Sequence, residues 1–336
     1  MHPELFRIPF TDLTVKTYGL MMVIGFMTAV WVIRLLSRKI TPDPQLITNA
    51  ALYSLIAGVG GARLFYVVHY WDQFQNDLPS IFAIWNGGLE LLGGVICAIL
   101  VIVFYLRHHK LPIRQYLDIL AIGLMAGLIF GRVGCFFNGC CYGKPTDLPW
   151  AVTFPYGSYT FENQIHPFLE RNRPEPLLKL PPDYFNYQLY DGTYRQVLKP
   201  KEFLTPEQYK AVTQGPYRCL PVHPTQIYSS LNAAFICLLL FLFWRRSQHA
   251  QKSDSHKFLT SPGCTFAMMF VLYGATRIGI EFLRADNPYE YPNIPLTIAQ
   301  YIGMLVIAVG ILQLIAYSAY ARSKRSDKKT PEPQNT

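Results

Sequence analysis

Seven apolar stretches, each close to the length that crosses a hydrocarbon layer, constrain this chain more than any other feature. Hydrophobic residues make up 51% of its 336 residues and charged residues only 15%. A transmembrane helix needs about 20 predominantly apolar residues. We place the spans near residues 15–36, 46–70, 88–106, 115–136, 224–244, 263–283 and 296–320. The sequence therefore predicts an all-α polytopic membrane protein with seven transmembrane helices.

A long polar segment between spans four and five predicts an extramembrane head. Residues 144–222 contain 12 of the 25 prolines and few apolar runs. Thr205 followed by Pro206 is typical of the N-cap and first position of a short helix. The predicted organisation is four helices with a glycine-rich loop in 1–143, the head in 144–222, three helices in 223–322, and a disordered cytoplasmic tail in 323–336.

The orientation follows from the loops that carry Lys and Arg, because cytoplasmic loops are enriched in these residues. They follow span one, separate spans three and four and spans five and six, and follow span seven: Arg34, Arg38, Lys39, Arg107, Lys110, Arg114, Arg245, Arg246, Lys252, Lys257, Arg322, Lys324, Arg325, Lys328 and Lys329. We expect the N-terminus and the head outside and the C-terminus in the cytoplasm. The net charge of +9 reflects this bias and an attraction to anionic lipid. No motif indicates a nucleic-acid partner.

Polar residues of the spans converge in the outer half of the membrane on this topology. They are Tyr18, Arg63, Glu90, Arg132, Gln226, Asn232, Tyr273, Arg277, Glu281 and Gln300. An arginine in a membrane helix costs about 2.5–3.5 kcal/mol to insert and indicates a functional site with an anionic partner. A structural alternative is that Glu281, four residues after Arg277 on the same helix face, only neutralises the Arg277 charge. Because cationic groups outnumber anionic ones, we favour a lipid phosphate as the missing anion.

The end of span four and the glycine-rich loop after it contain three of the seven cysteines, Cys135, Cys140 and Cys141. Their spacing is not the CxxC pattern of metal sites, and no His pattern accompanies them. We therefore expect no metal and no cofactor. A disulfide that involves Cys140, Cys141 or Cys219 stays open, because the outer face is oxidising. Most glycines within the spans are expected to allow close helix packing.

Several short motifs together resemble one family, the prolipoprotein diacylglyceryl transferases of bacterial cytoplasmic membranes. The motifs are Tyr18-Gly19, Gly61-Ala62-Arg63-Leu64, Trp85-Asn86-Gly87-Gly88, Gly93-Gly94, the run from Gly131 to Gly143, the run from His223 to Tyr228, the run from Tyr273 to Arg277, Glu281-Phe282 and Arg284. The resemblance covers nearly all the spans. It implies a seven-helix fold with an outer head in the bacterial inner membrane.

The resemblance also implies an activity and its substrates. The family transfers the diacylglyceryl group of phosphatidylglycerol to the lipobox cysteine thiol in the signal peptide of a preprolipoprotein, the first step of lipoprotein maturation. The implied site residues are Arg132, which binds the lipid phosphate, Arg277, Glu281 and Tyr273 in the catalytic centre, and Tyr18, Asn138, Gly143, Arg63 and Gln226 around the substrate.

The chain departs from the family pattern at four positions. Leu92 stands where the pattern has His, and Cys135 stands where it has Asn. The acidic residue that the pattern has near Cys140 is absent, and Ser229 stands where Glu is common. Because leucine cannot accept a proton, Glu90, His69 and Glu281 are the alternative bases. The departures keep two further hypotheses open, a noncatalytic phospholipid-binding membrane paralogue and a thiol-redox membrane protein.

Overall fold

A computed structural model of the chain is mostly helical. It describes residues 4–7, 14–41, 43–75, 77–84, 87–190, 193–252, 259–289, 291 and 294–327. The helices are α1 (Thr17–Ser37), α2 (Gln45–His69), α3 (Trp71–Phe74), α4 (Leu91–His108), α5 (Ile113–Asn138), α6 (Tyr159–Ile165), α7 (Pro206–Thr213), α8 (Thr225–Lys252), α9 (Cys264–Glu281) and α10 (Ile298–Asp327). The strands are β1 (Glu4–Arg7) paired with β2 (Thr14–Lys16), and β3 (Phe185–Tyr190) paired with β4 (Thr193–Leu198), both antiparallel.

Each apolar stretch of the sequence coincides with one long helix. By length and composition, five of the described helices are able to cross a membrane: α1, α2, α5, residues Thr225–Ala250 of α8 and residues Ile298–Ala319 of α10. The apolar part of α4, Leu92–His108, is shorter. The 18-residue helix α9 carries Arg277 and Glu281 among its apolar residues. The protein is therefore a polytopic helical membrane protein.

Close helix pairs hold the bundle together. Helix α1 packs on α5, α2 on α4, α5 on α8 and α9 on α10. A Cβ atom added to Gly25 would lie 2.7 Å from the carbonyl oxygen of Gly127, and one added to Gly61 would lie 2.8 Å from the carbonyl oxygen of Gly93. These crossings therefore require glycine, as expected for small residues that let membrane helices approach closely.

A buried carboxylate joins α5 to the start of α9. Asp118 accepts hydrogen bonds from the backbone N–H groups of Gly263 (2.8 Å) and Phe266 (3.0 Å). These N–H groups have no partner within the helix, so Asp118 satisfies donors that burial would otherwise leave unpaired. The surrounding core contains Ile119, Ile122 and Trp244. Asp118 is thus a structural cap for the start of α9.

Residues 144–222 have a hydrophobic core of their own. Phe154, Phe161 and Val222 are almost fully buried within it. The helix predicted at Thr205 is confirmed as α7, with a capping box formed by Thr205 and Gln208. This segment is therefore a packed unit between α5 and α8 rather than an extended loop.

All seven cysteines are free, so the structure contains none of the disulfides that the sequence left open. Cys219 lies in the core of the 144–222 segment, where its thiol donates to Gln164 Oε1 at 3.4 Å. Burial raises the pKa of the Cys219 thiol to about 11. Because reactivity requires the thiolate, Cys219 is a structural cysteine.

Helix α10 extends further than the last predicted span. It continues to Asp327, so residues 323–327, which the sequence assigned to a disordered tail, are helical. The rest of that tail, residues 328–336, lies outside the described residues.

Candidate functional site

The glycine-rich loop, residues 139–145, starts where α5 ends at Asn138. Gly139 has a φ of +74°, the left-handed conformation that commonly ends a helix. Cys141 has a φ of +61°, which is uncommon for a residue with a side chain. These two positions turn the chain sharply, so that the loop folds back over the end of α5.

Two other segments hold the loop through backbone hydrogen bonds. The N–H of Gly143 donates to the carbonyl oxygen of His223 at 3.0 Å, and the N–H of Lys144 donates to that of Leu283 at 2.8 Å. The approach is so close that a Cβ atom on Gly143 would lie 2.5 Å from the Cβ of His223. Gly143 is therefore needed where the chain entering α8 and the chain leaving α9 meet.

The first residues of α8 fix the cysteine part of the loop. Thr225 Oγ1 donates to the carbonyl oxygen of Cys141 at 2.6 Å, and Gln226 Nε2 donates to that of Cys140 at 2.7 Å. Both side chains are fully buried. Gln226, which the resemblance placed at the substrate, thus positions the loop.

Arg277 and Glu281 form a buried ion pair on one face of α9. Arg277 Nη1 lies 2.9 Å from Glu281 Oε2. The other carboxylate oxygen of Glu281 accepts hydrogen bonds from Thr297 Oγ1 (2.9 Å) and Asn287 Nδ2 (2.5 Å). Glu281 therefore ties α9 to the start of α10 through Oε1, while Oε2 faces Arg277 as an ion pair without a hydrogen bond of its own.

A second arginine, Arg284, lies just beyond α9. Its guanidinium makes two hydrogen bonds with Asp286, at 2.9 and 2.6 Å, and lies 3.8 Å from Glu281 Oε2. Burial alone would lower the pKa of Arg284, but the bonds with Asp286 raise the pKa above its usual range. Arg284 therefore stays charged, with a partner of its own.

Arg132 differs from these two arginines because no carboxylate among the described residues pairs with it. Its neighbours are Tyr273 and the Cys141 sulfur, 3.9 Å from Nη1. The cluster contains three guanidinium groups, of Arg132, Arg277 and Arg284, which interact electrostatically with one another. Among the residues that the structure describes, its carboxylates are those of Glu281 and Asp286. Within this described set one positive charge is left over, and it is that of Arg132.

Tyr18 lies on α1 at the same end of the bundle. Its ring packs over Gly134, where a Cβ atom would come within 3.3 Å of Tyr18 Cδ2. The Tyr18 side chain is 38% exposed and interacts electrostatically with Arg132 and with the cysteines of the loop. The structure therefore brings Tyr18 and Tyr273 to Arg132, whereas Asn138 lies beside the Cys140 sulfur and Gly143 lies in the loop against His223.

Arg63 does not join this cluster. Its guanidinium donates four hydrogen bonds of 2.7 to 2.9 Å, to the carbonyl oxygens of Ser80, Ile81, Gly87 and Gly88. No described contact connects it to Arg132. Its donors serve to fold the segment between α3 and α4, and the place of Arg63 at the substrate stays a prediction. Trp85 and Asn86, which belong to the motif next to it, lie outside the described residues.

The sulfur atoms of Cys135, Cys140 and Cys141 all lie within 4.8 Å of one another. Asn138 Nδ2 lies 3.6 Å from the Cys140 sulfur. The spacing of these cysteines argued against a metal site, whereas the turn at Gly139 brings the three thiols together. They are the candidate metal ligands among the described residues.

The alternative bases are placed unevenly. Glu281 has no exposed surface, and its carboxylate faces Arg277 and Thr297. Glu90 Oε1 lies 3.5 Å from His69 Nδ1, and both side chains are partly exposed. Leu92 is 62% exposed. Among the described residues of the arginine cluster, each carboxylate is therefore paired with an arginine, Glu281 with Arg277 and Asp286 with Arg284.

The family model for prolipoprotein diacylglyceryl transferase matches residues 3–316, which is nearly the whole chain. The chain belongs to this family. Its match spans every helix around the arginine cluster, including the loop after α5 and the buried pair of α9.

Curated relatives carry the same name in full. Phosphatidylglycerol–prolipoprotein diacylglyceryl transferase of Thermosynechococcus vestitus is 27% identical over 299 residues, which cover 89% of this chain and 87% of the relative. The protein of that name from Synechococcus elongatus is 26% identical and covers 93% of this chain and 86% of its own. The protein of that name from Rhodopirellula baltica is also 26% identical, over 96% of this chain and 76% of the relative.

Two residues that support the site were not singled out from the sequence as site residues of this prolipoprotein diacylglyceryl transferase family member. Thr225 holds the loop, and Asp286 neutralises Arg284. Thr225 lies within the motif from His223 to Tyr228, and Asp286 follows the motif residue Arg284 by two positions, which is the signal that was available. Thr225 contacts Cys141, which lies 84 residues earlier in the chain, and Asp286 contacts Arg284, two residues earlier. The fold reveals both contacts.

Proposed function

We propose that this chain transfers the diacylglyceryl group from phosphatidylglycerol to the lipobox cysteine thiol of a preprolipoprotein signal peptide. Arg132 carries the proposal, because its guanidinium is the unbalanced positive charge at one end of the membrane helices. Family membership over residues 3–316 and the names of the relatives support the same reaction.

The chemistry explains why an unpaired guanidinium is needed. The client thiolate forms a sulfur–carbon bond with the glycerol carbon that bears the phosphate. The carbon–oxygen bond to the phosphate breaks, and its electron pair leaves with glycerol phosphate. Because negative charge develops on the departing phosphate oxygen, a fixed guanidinium stabilises the transition state. Its planar donors also match phosphate oxygens in a bidentate manner.

The other site residues position Arg132 and the lipid. Arg277 and Glu281 organise the electrostatics of α9, and Tyr273 lies beside the Arg132 guanidinium. Tyr18, Asn138, Gly143 and Gln226 shape the site, Gln226 through its bond to the loop. Arg63 supports the neighbouring backbone through its bonds to the carbonyl oxygens of Ile81 and Ser80.

Seven spans and an outer head fit this reaction. In this proposal α1, α2, α4, α5, α8, α9 and α10 cross the bacterial cytoplasmic membrane, with the N-terminus and residues 144–222 outside. The distribution of Lys and Arg supports this orientation. It places Arg132 in the outer leaflet, where a translocated signal peptide presents its cysteine.

The test is transfer by the purified protein in phosphatidylglycerol-containing nanodiscs to a lipobox peptide, followed by mass spectrometry of the thioether product. Arg132→Ala should abolish both product and phosphatidylglycerol binding. Arg132→Lys should restore part of each, since lysine keeps the charge without the planar fork. Arg218→Ala, which removes an exposed arginine outside the site, is the matched control.

Two results would contradict this proposal. If Arg132→Ala bound phosphatidylglycerol as well as the parent, the guanidinium would be structural. If the parent bound the lipid but formed no thioether at any pH between 7 and 9, the noncatalytic phospholipid-binding hypothesis would replace the transferase.

A further inference from the structure

We infer that Cys135, Cys140 and Cys141 bind one Zn²⁺ ion, whose fourth coordination position receives the lipobox thiolate before it attacks the lipid. This inference rests on the proposed transferase function and adds to it a metal centre that activates the nucleophile.

The geometry of the three sulfurs suits this ion. A tetrahedral zinc site with zinc–sulfur bonds of about 2.3 Å places its sulfur ligands roughly 3.8 Å apart. The three Sγ atoms already lie within 4.8 Å of one another. The sulfur separations are therefore within about 1 Å of those that a tetrahedral zinc ion imposes.

The backbone around the cluster is held in place for this arrangement. Gln226 and Thr225 fix the carbonyl groups of Cys140 and Cys141. Cys135 lies in the last turn of α5, and the Cys140 thiol donates to its carbonyl oxygen at 3.7 Å. Ligands on a helix end and on a doubly anchored loop form a preorganised site rather than a chance encounter of thiols.

Polar groups around the sulfurs complete the site. Arg132 Nη1 lies 3.9 Å from the Cys141 sulfur, and Asn138 Nδ2 lies 3.6 Å from that of Cys140. Donors of this kind orient metal-bound thiolates. A guanidinium has five N–H groups, so Arg132 has donors for the lipid phosphate besides the one that faces sulfur. One residue thus joins the nucleophile and the leaving group.

An opening leads to the cluster. A cavity of about 410 Å³ is lined by Cys140, Cys141, Tyr142, Tyr159, Glu162, Asn163, His166 and Asp286. Three protein ligands with an accessible fourth position are the pattern of a catalytic zinc site, whereas structural sites have four protein ligands. The cavity therefore gives an incoming thiol a path to the metal.

Zinc supplies a direct way to ionise the client thiol. Leu92 replaces the histidine of the family pattern, and the carboxylates described in the arginine cluster are paired with Arg277 and Arg284. A thiol that coordinates zinc is deprotonated outright, and coordination is one of the ways in which enzymes activate nucleophiles. The metal therefore takes over the role of the missing base.

The step balances without an oxidant or a reductant. Each ligand thiol loses its proton to solvent when zinc binds, and the client thiol displaces water and loses its own proton. The sulfur–carbon bond forms as the carbon–oxygen bond to phosphate breaks. The thioether product is a weak ligand, so it dissociates and water returns to the metal.

Metal analysis of the unaltered protein is the first experiment. Protein purified in detergent without chelators should contain close to one zinc ion per chain, measured by inductively coupled plasma mass spectrometry. Cys135→Ser, Cys140→Ser and Cys141→Ser should each lose most of it. Cys237→Ser changes a cysteine of α8 outside the cluster and should retain it. A metal-free parent protein with two of the three cysteines in a disulfide would overturn the inference.

Cobalt substitution tests the open position. The Co²⁺ form should show thiolate-to-metal charge-transfer absorption from three sulfurs. A lipobox peptide should raise this absorption by about one third as a fourth thiolate binds, and the peptide with Ser in place of Cys should not. No response to the Cys peptide would mean that a protein group fills the fourth position, which also overturns the inference.

Transfer assays keep the two proposals separate. If the parent protein without metal and the cysteine variants all transfer at the full rate, the transferase function stands and the zinc site falls. If cobalt responds to the peptide but no thioether ever forms, the proposed transferase function fails while the metal site remains.

Discussion

Arg277 Nη1 lies 2.9 Å from Glu281 Oε2 one turn along α9, and the Glu281 side chain has no exposed surface. Removing one partner of a buried ion pair costs about 3–5 kcal/mol, because the other charge is left uncompensated. We therefore expect Arg277→Ala to lower the thermal stability of the protein as well as its activity. Arg132→Ala, which breaks no ion pair, should abolish activity with little change in stability. Thermal unfolding in detergent measures the difference; equal melting temperatures for the two variants would contradict it.

Arg63 is expected to contribute to stability rather than to lipid binding, in contrast to Arg132. Its guanidinium satisfies four carbonyl oxygens of residues 80–88. Arg63→Lys cannot replace that many directed bonds with one ammonium group, so it should destabilise the protein almost as much as Arg63→Ala. The phosphatidylglycerol affinity of the remaining folded protein should be unchanged. Lipid binding by the folded fraction is the measurement, and a weakened affinity with normal stability would return Arg63 to the lipid site.

Gly143 should be irreplaceable even by alanine. A Cβ atom there would lie 2.5 Å from the Cβ and 2.7 Å from the carbonyl oxygen of His223. Gly143→Ala must therefore push apart the two segments that hold the loop, and we expect loss of activity and of expression. Gly279→Ala is the control, because nothing lies within 4 Å of its Cβ position in α9. It should be tolerated or slightly stabilising, since alanine is favoured over glycine in helices by about 1 kcal/mol. Normal transfer by Gly143→Ala would contradict the close approach.

The helices were predictable because each is encoded by a local apolar run. The spacing of Arg277 and Glu281 also predicted their pairing, since residues four apart lie on one helical face. The partners of Arg63 were not predictable in this way. Its four carbonyl bonds depend on the path of residues 78–90, which no periodic pattern specifies.

The cysteine cluster shows the same limit more sharply. Sequence spacing treats Cys135, Cys140 and Cys141 as an irregular set, because metal motifs are recognised at regular separations. In the structure, the left-handed turn at Gly139 and the positive φ of Cys141 bring their sulfurs together. A three-dimensional site formed by a helix end and a tight turn leaves little trace in spacing alone.

The proposed orientation can be tested with reporter fusions. Alkaline phosphatase fused near Asp183, in the segment between α5 and α8, should be active because this enzyme requires export. A fusion after Asp327, at the end of α10, should be inactive. The basic loops require this result, since Lys and Arg are retained on the cytoplasmic side. The reverse pattern would move Arg132 to the inner leaflet and remove the basis for its role at a translocated cysteine.

Leu92 occupies the position where the family pattern has a histidine. Its side chain is 62% exposed, and no described contact joins it to Arg132. Leu92→His should therefore leave the transfer rate unchanged at pH 7, and a large activation would show that this position reaches the reacting thiol.

With zinc in place, the transfer rate should be nearly flat between pH 7 and 8, because a coordinated thiol is already deprotonated. In Cys140→Ser the client thiol ionises freely. Its pKa near 8.5 then makes the thiolate fraction, and with it the slower residual rate, rise about eightfold over the same interval. Initial rates with saturating phosphatidylglycerol measure both profiles. If the parent protein shows the steep rise as well, its nucleophile is a free thiol and no metal activates it.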